Sequence, residues 1–241
     1  PRRRLALALV ALPLLFWQWT AAVRDVAAAS GDPSVHASYY RPLLRFLEAN
    51  DEQPMRVEIP FTRLHWEAAR VAPSYPLARG WQRQLDRKHN ALFYRDALTA
   101  AEYRSWLDQL GVRYVALADV ELDSSARREA RLIAAGLPYL RPVWSSAHWR
   151  VWEVRGARPI VEGATRGATT DGDRVSLTAL APGDVLLRVR FTPYWKLARG
   201  AGCVERAPGG WTRLRLRRAG PVLVQPHFAV SRVRADGPRC T

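Results

Sequence analysis

The chain contains almost no lysine and only one methionine. Lys88 and Lys196 are its only lysines, so the formal net charge of +15 at pH 7 comes from arginine. Codon bias in a G+C-rich genome is one explanation of this arginine content. The alternative is a functional basic surface that faces anionic headgroups or pyrophosphate-linked lipids. The sequence has no basic helix and no finger spacing, so we expect no nucleic acid as a partner.

The chain also lacks the short motifs of well-known catalytic and metal sites. It has no GxSxG elbow, no P-loop and no GxGxxG after a strand. The five histidines form no HxxxH pair, and no CxxC is present, so we expect neither a metal nor a cofactor. Cys203 and Cys240 are the only cysteines. In an oxidising compartment they would form a disulfide that closes a loop of about 37 residues, and the alternative is two separate buried thiols.

One long apolar run is present, at the N-terminus. Leu5–Val23 carries no charge and follows the basic residues Arg2–Arg4. A helix of this length spans roughly 28 Å, close to the roughly 30 Å hydrocarbon core of a bilayer. Trp17 and Trp19 fall near its end, where indoles prefer the membrane interface. We predict a transmembrane helix with flanks over residues 1–29 and the bulk of the chain on the extracytoplasmic side of the cell membrane. A cleaved signal peptide is the alternative.

Two different patterns follow the apolar run. In residues 30–156 helical and strand patterns alternate: a Thr99–Glu102 capping box opens a helix that ends at Gly111, and a β-branched run over residues 112–117 follows. Beyond that part, short apolar runs alternate with glycine and proline turns, which is typical of a β-sandwich. The predicted fold class is α+β: an N-terminal transmembrane helix, a small α/β domain over residues 30–156, and a β-sandwich-like domain over residues 157–241.

The densest cluster of aromatic and charged residues lies between Thr62 and Tyr94. Indole faces stack on sugar rings, while charged groups hold hydroxyls and guanidinium groups bind phosphate. We expect a groove there with its tryptophans partly exposed and with Arg79, Arg83 and Asp86 at its rim. The alternative places the tryptophans in the core and pairs the charges with one another. The candidate substrate-binding residues are His65, Trp66, Glu67, Arg79, Trp81, Arg83 and Asp86.

Two acids follow the central strand predicted over residues 112–117. Asp119 and Asp123 lie in the loop after this strand, which is the usual ligand crevice of an open α/β sheet. They are either acid–base groups of a site or ordinary loop acids.

Three longer runs carry a family resemblance: RVEIPFTRLHWEAARVAPSYPLARGWQRQLDRKHNALFY, YRSWLDQLGVRYVAL and LPYLRPVWSSAHWRVWEV. They resemble the C-terminal extracytoplasmic region of polytopic actinobacterial membrane proteins similar to C-type, lipid-phosphosugar-dependent glycosyltransferases. The resemblance implies an accessory or recognition region without catalysis of its own, because the catalytic acid of such enzymes lies in an early external loop that this chain lacks.

The same resemblance implies the partners. They are the lipid bilayer, a polyprenyl-phosphate-linked sugar or envelope glycan, and upstream transmembrane segments of the same protein. The first residue, Pro1, is not a methionine, and we expect the chain to be the C-terminal piece of a longer protein. The alternatives are a structural or interaction module of the cell envelope without sugar specificity, and an exported hydrolase that uses the carboxylates of residues 62–94.

Overall fold

The computed structural model of the chain describes residues 2–51, 54–230 and 240. Helices and strands are both well represented, so the predicted α+β class is confirmed. The helices in the described ranges are α1 Arg2–Ser30, α2 Ala37–Ala49, α3 Glu67–Arg70, α4 Arg83–His89, α5 Ala100–Leu110 and α6 Arg127–Ala134. Short 3-10 turns lie at Pro33–Val35, Ala91–Tyr94 and Pro208–Gly210.

The strands within the described residues form three four-stranded sheets. The first sheet contains β1 Arg56–Glu58, β2 Val112–Ala118, β3 Leu140–Ser145 and β4 Trp149–Val154. The other two sheets are built from β5 Val161–Glu162, β6 Thr165–Asp171, β7 Arg174–Ala179, β8 Gly183–Arg190, β9 Trp195–Arg199, β10 Gly202–Arg206, β11 Trp211–Leu216 and β12 Gly220–Pro226.

The first sheet has the order β1-β2-β4-β3 and is covered on both faces. Strand β1 runs parallel to β2, and the other pairs are antiparallel. Alternate side chains of β2 point to opposite faces, so Tyr114 and Ala116 pack in one core with α2, whereas Val115 and Leu117 pack in another with α5 and α6. The result is a three-layer α/β unit.

The remaining sheets have the orders β10-β11-β8-β5 and β6-β7-β12-β9, and every pairing in them is antiparallel. Alternate residues of both sheets share one core, in which Val175 and Leu177 pack together with Leu187, Leu214 and Val222. Two antiparallel sheets that share a core form a sandwich.

The sandwich contacts the α/β layer through Trp211, which belongs to the same buried cluster as Trp106 of α5. The strands of the first sheet all precede residue 156, and those of the sandwich all follow it. The division into separate domains at 30–156 and 157–241 stays a prediction.

The structure differs from the sequence-based expectation at β1. Residues 55–59 alternate apolar and charged side chains, a pattern that predicts a half-buried strand, but Arg56, Val57 and Glu58 are all buried. Arg56 donates to the main-chain oxygens of Leu110 and Arg188, and Glu58 lies near the charged groups of Glu129 and Arg79. These groups form part of the site described below.

The N-terminal apolar run lies in helix α1, which contains Pro13. Within the part of the chain that the structure describes, no helix is long and apolar enough to cross a membrane. The transmembrane role predicted for residues 1–29 is therefore not supported by the fold and stays a prediction.

Cys203 of β10 and Cys240 form a disulfide, with their Cα atoms 5.5 Å apart. The chain thus contains the pairing expected from the sequence rather than two separate thiols.

Candidate functional site

Arg79 and Asp86 lie in the interior, so the prediction that they form the rim of a groove is wrong. Both side chains are fully buried, and Arg79 donates to the two oxygens of Asp86, from Nη2 at 2.7 Å and from Nε at 3.2 Å. The Arg79 guanidinium also lies between the rings of Phe61 and Phe93, with its Cζ 4.0 Å from each centroid. Because buried charges persist only when paired and hydrogen-bonded, this pair is part of the core.

Further polar groups complete the shell around Asp86. Asn90 Nδ2 donates to Asp86 Oδ1 at 2.8 Å, and the Tyr94 hydroxyl donates to Oδ2 at 2.6 Å. The Trp106 indole donates to Asn90 Oδ1 at 2.9 Å. Each Asp86 oxygen therefore accepts two hydrogen bonds, and the carboxylate has no capacity left for a ligand.

Glu58 is a second buried acid of this network. Burial, and next the charge of Glu129, raise the pKa of Glu58 well above its ordinary value. Neither Glu58 oxygen receives a hydrogen bond, whereas Glu129 accepts from Tyr103 at 2.8 Å and from Arg79 at 3.4 Å. Burial also raises the pKa of Glu129, but the interaction between the two side chains raises the pKa of Glu58 and lowers that of Glu129, which favours Glu58 as the neutral member of the pair.

His65, Glu67 and Arg83 meet at the edge where the parallel strands β1 and β2 end. His65 Nδ1 lies 3.6 Å from Glu67 Oε1, and its Nε2 lies 3.8 Å from Asp123 Oδ2. Arg83 donates to Asp123 Oδ2 at 2.6 Å, and the Thr62 hydroxyl donates to Glu67 at 2.6 Å. This cluster unites three of the predicted residues with Asp123.

The backbone and electrostatics of this cluster are unusual. His65 has a φ of 56°, a left-handed conformation that costs about 1–3 kcal/mol in a residue other than glycine. Burial acts to raise the pKa of Asp123, but hydrogen bonds from Ser125 and Arg83 outweigh it and lower that pKa to about 2. Asp123 is therefore ionised at neutral pH.

Asp119 lies at the same edge and forms a separate hydrogen-bonded chain. His148 Nδ1 lies 2.9 Å from Asp119 Oδ2, and the Tyr39 hydroxyl donates to Oδ1 at 2.7 Å. Burial acts to raise the pKa of Asp119, but the hydrogen bonds from His148 and Tyr39 outweigh it and lower that pKa. His148 and Asp119 are each about half exposed, so solvent reaches this pair. Sequence reasoning noted Asp119 but did not single out His148, which lies in a turn before β4.

Metal binding is not indicated at either cluster. Among residues 2–51, 54–230 and 240, no group of three or more His, Cys, Asp and Glu side chains is arranged to hold a metal ion. These carboxylates and imidazoles bind one another and neighbouring arginine, threonine and tyrosine groups instead.

The two predicted tryptophans lie in different surroundings. Trp66 is partly buried against the core beneath α2, with the Arg70 guanidinium 5.1 Å from its ring centroid. Trp81 is 61% exposed and lines a groove between α4 and the sandwich. Only Trp81 therefore fits the expectation of an indole that is open to a ligand.

The groove has a volume of about 450 Å³, which lies within the range of small-molecule sites. Its walls combine residues from the turn before α4, from α4 itself, and from β8 and β11. The lining residues are Arg56, Leu77, Ala78, Gly80, Trp81, Gln82, Leu85, Asp86, His89, Asn90, Leu110, Arg188, Val189, Arg190 and Trp211.

Three arginines make the groove basic. Arg188 forms an ion pair with Glu162, but in the described ranges neither Arg56 nor Arg190 has a carboxylate partner. Burial, and next the charges of Arg190 and Arg188, lower the pKa of Arg56 to about 10. Sequence reasoning missed these residues because Arg56 precedes the predicted cluster and Arg190 lies about a hundred positions beyond it.

No protein-family model matches the chain, and the chain has no significant similarity to a curated protein or a solved structure. The resemblance to glycosyltransferase-like membrane proteins therefore stays a prediction, and the function has to be inferred from the groove itself.

Proposed function

We propose that this chain is the extracytoplasmic recognition region of a glycosyltransferase-like bacterial membrane protein. In this proposal it binds an envelope glycan or a polyprenyl-phosphate-linked sugar in the groove and has no catalytic activity of its own. The observation that carries the proposal is the exposed indole of Trp81 in a basic groove of about 450 Å³.

The exposed indole supports a binding role because folding alone gives no reason for it. A tryptophan that contributes to stability is largely buried, as Trp106 and Trp149 are here. Trp81 instead lies beside Leu85, which is also exposed. An open aromatic face beside cationic groups and amide groups is the combination that stacks on a sugar ring and holds its polar substituents.

Helix α1 supports the membrane part of the proposal. Its large apolar side chains are 51–75% exposed and lie on all sides of the helix: Leu9, Leu12, Leu14, Leu15, Phe16, Trp17, Trp19, Val23 and Val26. Large apolar side chains that are exposed along one helix are normally covered by protein or lipid. Lipid is the cover that we propose, because this helix also has tryptophans near its end, which suit the interface.

Binding to glycan can be tested with the full chain in detergent. Trp81→Ala should abolish the fluorescence change and the calorimetric signal on adding envelope glycan, and it should leave the melting temperature nearly unchanged because the side chain is mostly solvated. Phe228→Ala is the matched control, since Phe228 is 72% exposed and lies outside the groove. Equal glycan affinity in wild type and Trp81→Ala would contradict the assignment of the sugar to this groove, and a wild-type chain that binds no glycan would favour an interaction module without sugar specificity.

Membrane association can be tested by flotation of the full chain with phospholipid vesicles. The protein should float with the vesicles and resist a carbonate wash, and Leu12→Glu together with Leu15→Glu should weaken this association because charges are costly in hydrocarbon. A wild-type chain that does not float with the vesicles, or that the carbonate wash releases from them, would contradict the membrane assignment.

A second candidate function, hydrolysis, is favoured by one specific observation. The Asp119–His148 pair holds a solvent-accessible imidazole by its Nδ1 atom, which is how a general base is oriented. Hydrolysis of nitrophenyl esters that is lost in His148→Asn and kept in His227→Asn would support this candidate.

A further inference from the structure

We infer that the groove contains a phosphate-binding subsite, formed by Arg56, Arg190 and His89, that takes the phosphate of a phosphorylated glycan. The inference rests on the proposed function, because sugar and phosphate would occupy one groove, with the sugar against Trp81. It adds the chemical class of the ligand and three residues that sequence reasoning did not single out.

The first observation is the uncompensated charge of Arg56. This side chain lines the groove, although the residue is only 8% exposed. Its Nη1 and Nη2 atoms donate to the main-chain oxygens of Leu110 and Arg188, and among the described residues its buried Nε has no hydrogen-bond partner. A buried cation without an anionic partner is costly. An anion in the groove would offset the charge of Arg56.

Arg190 provides a second cation at the same groove. Its guanidinium lies 4.1 Å from the ring centroid of Trp211, and its Nη1 donates to the Gly209 oxygen at 2.9 Å. Stacking and this bond hold the planar group in place and leave most of its five donors free. A guanidinium fixed in this way is preorganised to bind phosphate through two parallel hydrogen bonds.

The carboxylates near the groove do not neutralise these two cations. Asp86 lines it, but both of its oxygens are occupied by Arg79, Asn90 and Tyr94. Glu162 is paired with Arg188. The charge of Arg56 and Arg190 therefore remains available to an anionic ligand.

His89 makes the binding dependent on pH. Burial, and next the positive charges of Arg190 and Lys88, lower the pKa of His89, while the weaker effect of Asp86 opposes them. A phosphate beside Arg190 would offset the positive charge and raise this pKa. By linkage, phosphate then binds more tightly at a pH at which His89 is protonated.

The experiment follows the imidazole signals of the full chain in detergent by NMR, with His89→Gln to assign His89. The probes are glucose 1-phosphate, inorganic phosphate, methyl glucoside and phosphatidylglycerol vesicles. We expect both phosphate compounds to raise the pKa of His89 and to leave the other four histidines unchanged. Arg190→Gln should weaken glucose 1-phosphate binding about tenfold or more. Arg166→Gln, an exposed arginine on β6, should have no effect.

The outcomes separate this inference from the proposed function. A His89 pKa that is unchanged by saturating phosphate, while methyl glucoside still binds at Trp81, would overturn the subsite only. A His89 shift with phosphate but no binding of methyl glucoside would overturn the sugar assignment only. An equal loss of affinity for glucose 1-phosphate in Arg190→Gln and Arg166→Gln would show that binding depends on general charge attraction, and it would overturn the subsite. A shift with vesicles but not with glucose 1-phosphate would overturn the glycan as the source of the phosphate.

Discussion

The charged residues inside the α/β layer each have a particular way of being stabilised. Arg79 is held by two carboxylates and two aromatic rings, whereas burial and the charge of Glu129 raise the pKa of Glu58 and so favour its neutral form. Among the residues that the structure describes, the hydrogen-bond acceptors for Arg56 are the main-chain oxygens of Leu110 and Arg188. At the residue scale, the presence or absence of a carboxylate partner distinguishes Arg79 in the core from Arg56 at the groove.

Removal of the Arg79 charge should be far more destabilising than removal of the Arg83 charge. Arg79→Met leaves Asp86 and Glu129 buried without a counterion, and we expect a loss of about 3–5 kcal/mol in the free energy of unfolding. Arg83→Met is the control, because Arg83 is 47% exposed and its pair with Asp123 is worth about 0–1 kcal/mol. Urea unfolding measures both, and similar small losses would contradict the assignment of Arg79 to the core.

Glu58→Gln should stabilise the protein at neutral pH. The folded-state pKa of Glu58 is raised, so below about pH 4 the carboxyl group is protonated in both states. As the pH rises further, Glu58 of the unfolded chain releases its proton first. The free energy of unfolding of wild type then falls by about 1.4 kcal/mol per pH unit relative to the variant, until the pH reaches the folded-state pKa.

Urea unfolding of both proteins between pH 4 and pH 7 tests this sign. The stability difference should be smallest at pH 4 and grow with pH, since glutamine can donate to Glu129 as a protonated Glu58 does. A difference that shrinks as the pH rises would show that Glu58 is ionised in the folded protein.

At the scale of elements, α5 shows most clearly how local signals and packing cooperate. Thr99 and Glu102 form both bonds of the capping box, and Gly111 ends the helix with a φ of 68°. The helix then leads directly into β2, whose buried residues pack alternately into the two cores on either face of the first sheet. Because β1 and β2 end at one edge, the loops after them bring His65 and Asp123 together.

Gly111→Ala should cost more stability than Gly136→Ala, although both glycines follow helices with positive φ. A Cβ at Gly136 meets nothing within 4 Å, so that variant carries only the left-handed penalty of about 1–2 kcal/mol. At Gly111 the Cβ would also lie 2.9 Å from the Arg158 oxygen and 3.1 Å from the Arg188 side chain. Thermal unfolding of the two variants measures the difference, and equal losses would exclude the steric contribution.

At the scale of the whole molecule, the sandwich and the α/β layer join around Trp211 and Arg56. Trp211 packs in the same cluster as α5, and Arg56 donates both to Leu110 of α5 and to Arg188 of β8. The groove opens at this junction. The α/β layer and the sandwich therefore form the basic groove together, and neither of them contains it alone.

The disulfide is the main covalent constraint on the sandwich. It joins residues 37 positions apart, so replacing both cysteines by serine should lower stability by about 3–4 kcal/mol on the loop-entropy estimate. Unfolding with and without reductant measures this loss, and reductant should not affect the double variant. Alkylation of two thiols in the unreduced protein would show that the pairing is absent.

The sequence alone was sufficient for features that depend on neighbouring residues. The capping box, the glycine at the end of α5 and the strand pattern of β2 could be recognised because caps and burial periodicity are local. The α+β class followed from the change between helical and strand patterns along the sequence. The Cys203–Cys240 pairing followed from the presence of two cysteines in the sequence. Strands β5, β6, β9 and β10 were not recognised, because polar and glycine-containing edge strands carry little alternation.

Only the tertiary structure could assign the charged residues to core or groove. Arg79, Arg83 and Arg190 are chemically identical, and what separates them is whether the fold places a carboxylate beside the guanidinium. Asp86 reaches Arg79, Asp123 reaches Arg83, and none in the described ranges reaches Arg190. Electrostatic pairing depends on distance in space and on exclusion of water, and neither quantity is encoded in the spacing of residues along the chain.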